Sequence, residues 1–108
     1  FQRMPAPSLS APHTLELVTY NLNDDADAET FLALNREVGE TFTSIQPGFL
    51  HREIGKNDDG TWLIAVFWNT AEDAKNSIAN IDSIPNVVKS YMAMINRETL
   101  KRDIFEIV

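Results

Sequence analysis

Residues 48–74, GFLHREIGKNDDGTWLIAVFWNTAEDA, constrain the fold more than any other stretch of this sequence. Residues 49–57 alternate in polarity, with Phe49, His51 and Glu53 predicted on one face and Leu50, Arg52 and Ile54 on the other. Residues 61–69 are almost continuously apolar, as expected of a strand buried on both faces, and Asp58-Asp59-Gly60 between the two runs marks a hairpin turn. Thr70 with Asp73 three positions later forms a capping pair, so the hairpin runs directly into a helix. A two- or three-residue loop would change the pairing register, so the sequence leaves open which sheet face His51 occupies.

Around this hairpin the remaining elements follow from periodicity. Pro5, Pro7, Ser8, Ser10 and Pro12 make residues 1–12 an extended tail, and a single domain is expected over residues 13–108. Residues 14–22, TLELVTYNL, read as a strand, and Asn23-Asp24-Asp25 ends it with helix-capping side chains. From Asp27 to about Ser44, Phe31, Leu34, Val38, Phe42 and Ile45 form an apolar stripe that must lie on a sheet. Gly39 within it predicts close approach by another backbone. Residues 71–81 predict a helix with Ala74, Ile78 and Ile81 inward, and Pro85 opens another in which Val88, Tyr91, Met92 and Ile95 share a face. Residues 99–108 read as a closing strand whose Ile104, Phe105, Ile107 and Val108 should be buried.

The resulting strand-helix-strand-strand-helix-strand order is that of an α+β, ferredoxin-like βαββαβ domain, a four-stranded antiparallel sheet with its helices on one face. Large side chains on both sides of the strands would leave an exposed apolar patch on the other face, which a homodimer would cover.

Composition removes several functions. A formal net charge of −7, with nine scattered Lys and Arg, argues against nucleic acid and anionic membrane as partners. There is no cysteine, so disulfides and thiolate chemistry are excluded, and no apolar run approaches the roughly 20 residues of a membrane span. The acidic cluster Asp24, Asp25 and Asp27 lacks the spacing of a calcium loop, so no metal site is predicted. Phe1 stands where Met would start a gene product; the first residues are read as a vector remnant or a trimmed end, and the expected location is cytoplasmic.

The PGFL run at residues 47–50 and the strand-end Trp68 leading through NTAEDA into a helix resemble the antibiotic biosynthesis monooxygenase family of dimeric α/β barrels. The resemblance spans roughly residues 14–108. It implies a dimer, a hydrophobic pocket between sheet and helices, and, in some members, oxygenation of aromatic substrates by O₂ with no cofactor. Haem-degrading members resemble one another in a helical Trp followed ten residues later by a His ligand. The helices after Trp68 hold neither, so haem degradation is not expected.

The candidate catalytic residues are His51 and Asn21, and the candidate substrate contacts are Trp68, Tyr20, Trp62 and Tyr91. His51 fits a general base toward a phenolic proton, or a half-exposed strand histidine with no role. Asn21 matches a residue type that the monooxygenases place at that strand end and could orient a substrate oxygen; it is equally read as a turn residue. Trp68 and Trp62 fit stacking on an aromatic ligand, or core indoles donating N–H to a backbone carbonyl. Arg52 and Glu53, and Arg97 and Arg102 with Glu98 or Glu106, are read as structural ion pairs. Three functions follow: a cofactor-independent monooxygenase acting on a small aromatic or quinol-type substrate, a binding module for a small apolar molecule, and an assembly protein.

Overall fold

The computed structural model describes residues 9–79 and 84–108. Their order is β1 (His13–Leu22), α1 (Ala28–Thr41), a 3₁₀ turn (Thr43–Ile45), β2 (Phe49–Lys56), β3 (Trp62–Trp68), α2 (Ala71–Asn76), α3 (Asn86–Ala93) and β4 (Ile95–Ile107). The strands form one antiparallel sheet in the order β2-β3-β1-β4. Each helical crossover therefore links two parallel strands with a third between them, which is the ferredoxin-like arrangement.

Local chemistry sets several element ends. Asp27, rather than the preceding Asn23-Asp24-Asp25 run, caps α1: its carboxylate accepts from the Thr30 hydroxyl and the Thr30 N–H, which holds it below the usual carboxylate range. That contribution is present above the unfolded-state pKa and is lost as pH falls through the lowered one. Asn23 instead closes α3, its side chain donating to Ala93 O and its backbone N–H to Met94 O. The helix stops there, so Ile95 joins the sheet opposite Leu22 instead of extending the α3 face, and β4 begins four residues earlier than residue 99.

The second helix ends at Asn76, well short of residue 81. Ser77 turns its hydroxyl back onto Ala74 O, a local bond that competes with helix propagation. Ala74 is buried as expected, Ile78 is 52% exposed, and Ile81 lies outside the described residues. Ile45 likewise leaves the α1 stripe, which ends in the 3₁₀ turn. Gly39 is approached not by a backbone but by the Arg52 side chain, whose Nη1 would lie 3.4 Å from a Cβ placed there.

The hairpin holds two surprises. Its loop is five residues, Asn57–Thr61, stitched by Asn57 Oδ1 accepting from the N–H groups of Asp59 and Thr61. A bulge at Leu50 pairs Phe49 with Trp68 and His51 with Phe67. Phe49 therefore lies on the face opposite His51 and Glu53, and its ring meets Trp68 edge-on.

The registers define two sheet faces. Tyr20, Trp62, Ile64, Val66 and Trp68 point at the helices and are buried with Phe31, Val38, Val88 and Tyr91. Leu63, Ala65 and Phe67 alternate with them on the other face and are half-buried, so β3 is not enclosed on both sides. Among the described residues no helix stands on that second face. The closing strand is less buried than its composition predicts: Ile104 packs on the core, Phe105 is partly exposed, and Val108 is 96% exposed beyond the last pairing.

Gly48 enters β2 with φ +82°, and a Cβ there would run into the Asp73 carboxylate. Gly48→Ala is expected to cost about 1–2 kcal/mol, from the left-handed backbone and the displaced Asp73. Urea unfolding of the purified variant checks this, with an unchanged midpoint as the contrary result.

Candidate functional site

The layer between sheet and helices is built from aromatic rings ending in a polar cluster. Phe31, fully buried on α1, stacks on Tyr91 of α3 with centroids 5.0 Å apart and planes at 15°. It meets Trp62 and Tyr20 edge-on at 5.1 and 5.9 Å. The hydroxyls then converge. Tyr20 donates to the Tyr91 oxygen at 2.9 Å, because the Tyr91 proton is directed to Asn35 Oδ1 at 3.2 Å. Arg52, on the helix face of β2, donates through Nη2 to the Tyr91 hydroxyl and through Nη1 to Asn35 O, both at 3.4 Å.

Burial pushes both tyrosine hydroxyls up, Tyr20 furthest, while the Arg52 charge opposes the shift at each. The tyrosines are therefore neutral donors at physiological pH. Among the described residues no base stands in this cluster, and its one charge is the Arg52 guanidinium.

A second network occupies the other end of the layer. The Trp68 indole donates to Glu16 Oε1 at 2.9 Å, not to a backbone carbonyl. Arg102 pairs with Glu16 Oε2, rather than with Glu98 or Glu106, and reaches Ala74 O at 2.9 Å. This network ties β1, β3, β4 and α2 together.

The predicted site residues divide between the two faces. Tyr20, Trp62, Trp68 and Tyr91 lie on the helix side, and of these Tyr20, Trp62 and Tyr91 surround Phe31. His51 lies on the other side, 2% exposed rather than half-exposed, tilted against Phe67 with centroids 6.0 Å apart and bonded through Nε2 to Glu53 Oε2 at 3.0 Å. Glu53 thus pairs with His51, its neighbour two residues along the strand. Asn21 is exposed, its backbone N–H held by Thr99 Oγ1. Leu15, Phe67 and His51 share one rung of the sheet, and Asn21 stands six residues further along β1 (15 to 21), roughly 20 Å at about 3.3 Å per residue. His51 and Asn21 do not share a site.

Sequence reasoning passed over Asn35 and Arg52 as partners of Tyr91. Asn35 offered a signal, since it falls between Phe31 and Val38 on the apolar stripe of α1 and would need a buried partner there. Two open depressions lie outside the layer: one over Trp62, Leu63, Thr19 and the hairpin end, the other beside Met92, Lys89 and Arg97. Among the described residues no three His, Asp or Glu side chains stand close enough to hold a metal ion, and no helix is long and apolar enough to cross a membrane.

This arrangement defines an α+β domain with an aromatic layer and a cationic polar end. No family profile matches the sequence, and no curated protein is detectably similar to it. Solved structures are. A Nitrosomonas europaea protein provisionally assigned as an antibiotic biosynthesis monooxygenase aligns with a TM-score of 0.71 and 15% identity, over 94% of this chain and 96% of that one. A Caulobacter crescentus protein with the same provisional assignment gives 0.70 and 11%, over 90% and 91%. SnoaB, a cofactor-independent oxygenase from Streptomyces nogalater, gives 0.62 and 13%, over 91% and 93%. The chain therefore has the antibiotic biosynthesis monooxygenase-like fold.

Proposed function

We propose that the protein is a cofactor-independent monooxygenase of a small aromatic or quinol-type substrate. The observation that carries this reading is the aromatic array of Phe31, Tyr91, Trp62 and Tyr20 ending at the Arg52 guanidinium; the fold shared with SnoaB supports it. A guanidinium favours the ionised form of a bound enol or phenol. The ionised substrate gives an electron to O₂, and the resulting radicals couple at carbon to form a hydroperoxide. Loss of water then leaves a carbonyl, so one CH₂ and one O₂ become one C=O and one H₂O. The substrate proton leaves to solvent, because His51 faces away from the array.

The test is O₂ consumption by purified protein with a panel of polycyclic phenols and their keto tautomers. Turnover is expected in the wild type and, within about twofold, in His51→Ala. Collapse of the rate in His51→Ala would move the chemistry to the other sheet face, and absence of turnover across the panel would leave binding without oxygenation.

The uncovered sheet face supports a further part of the same reading. Leu15, Leu17, Leu63, Phe67, Phe105 and Ile107 lie on it, with Phe105 47% exposed. A homodimer burying more than about 1,200 Å² in total is expected at micromolar concentration. Sedimentation of a folded monomer at that concentration would refute it.

A further inference from the structure

We propose that the depression beside the hairpin turn is a binding site for a small aliphatic anion, a medium-chain carboxylate, with Gly55, Leu63 and Thr19 as its apolar floor and Lys56 at its charged end. Such a site is independent of the oxygenase reading. Thr19, Leu63 and Gly55 stand on one rung of the sheet, on the face away from the helices, whereas the aromatic array lies on the helix side.

Gly55 lies within β2 without a positive φ, and a Cβ placed there would meet nothing within 4 Å. Neither the backbone conformation nor the packing of this chain therefore calls for glycine, although glycine weakens a strand by losing more backbone freedom than any other residue. A glycine inside a strand marks a place where something comes close to the backbone, and here no group of this chain does. What glycine leaves is space. The depression that it lines measures about 420 Å³, within the range of sites that take small molecules.

The lining sets the chemistry of the ligand. Leu63, Thr19 and the bare backbone of Gly55 offer surface to an alkyl chain. Trp62 also borders the depression, but it is buried, and its ring is met by Phe31 at 5.1 Å and by Lys56 Nζ at 5.3 Å, which leaves it little surface for stacking. Lys56 has no carboxylate partner among the described residues; its ammonium rests over the Trp62 ring instead. That compact charge suits one carboxylate oxygen. Asn57 adds donors, because its Oδ1 accepts from the N–H groups of Asp59 and Thr61 and its amide N–H₂ is left for another acceptor. The chain as a whole carries a formal charge of −7, so its long-range field draws in cations, and a preference for an anion reports a local site.

The test is titration of isotope-labelled protein with octanoate, octanol and octylammonium, followed by amide chemical shifts. In the wild type, shifts are expected at Thr19, Gly55 and Leu63. Octanoate should bind roughly 3- to 10-fold more tightly than octanol, the range for one charge-assisted bond at an exposed lysine, with octylammonium weakest. Gly55→Val, which fills the depression, should weaken octanoate and octanol alike by more than about tenfold, with a urea midpoint at or above that of the wild type. Lys56→Met, at an exposed position, should abolish the preference for octanoate and leave octanol affinity within about threefold. The methionine variant tests the charge even where the valine variant fails to fold. Absence of binding, shifts confined to other residues, equal affinity for octanoate and octanol, or unchanged binding in Gly55→Val would overturn the inference. So would a wild type that binds none of the three while Gly55→Val sediments as a smaller species, since the depression would then belong to a second copy of this chain.

Discussion

Phe31→Ala is expected to destabilise the protein by about 3–5 kcal/mol, the range for emptying a fully buried aromatic site. Phe31 has no exposed surface, and its ring is the common neighbour of Tyr91, Trp62 and Tyr20. Its loss removes three ring contacts, each worth about 0.5–1.5 kcal/mol beyond burial, and leaves a space that α1 cannot fill without separating Tyr91 from Asn35. A domain of this size has only about 5–15 kcal/mol in total, so the variant should unfold in mild urea. Tryptophan fluorescence should show the midpoint falling with little change in slope. Phe31→Leu should cost clearly less, since it retains most of the volume. A loss below about 1 kcal/mol for the alanine variant would mean that the aromatic layer is not the centre of the core.

Arg102→Met is expected to cost about 3 kcal/mol, the lower end for breaking a buried pair because Arg102 keeps some contact with water. The damage comes from what remains: Glu16 stays buried with a negative charge and one indole donor, and Ala74 O loses its partner. Glu16→Gln in the same chain removes the uncompensated charge while leaving an oxygen for Trp68. The double variant should therefore recover more than half of the loss, and denaturant unfolding of all four members of the cycle measures the coupling. Additive losses would show that the pair contributes no more than exposed ion pairs do.

Element identity was legible because it depends on residues close in sequence. Period-two alternation placed β2, a continuous apolar run placed β3 and β-branched and aromatic content placed β1, the Phe31–Val38 stripe placed α1, and Thr70 placed the start of α2, where its hydroxyl accepts from the Asp73 N–H. Element ends were less legible where a distant group decided them: Asn23 ends α3 from the far end of β1. The site was the least legible part. Tyr20, Trp62 and Tyr91 were found as aromatics, but Asn35 and Arg52 gained meaning only from a hydroxyl 56 and 39 positions away.

The sequence by itself determined the element order, the fold, the hairpin and the aromatic content of the core. These follow from side-chain periodicity and turn chemistry, which act over a few residues. Tertiary structure alone decided which face His51 occupies, which carboxylate Arg102 meets and that Arg52 meets Asn35 and Tyr91. One bulged residue, Leu50, reverses the facing of Phe49 relative to His51, because successive strand side chains alternate and a single extra residue inverts that alternation. Charge pairing is decided in the same way, by which strands become neighbours: β1 lies beside β4, so Glu16 reaches Arg102 across 86 residues of chain.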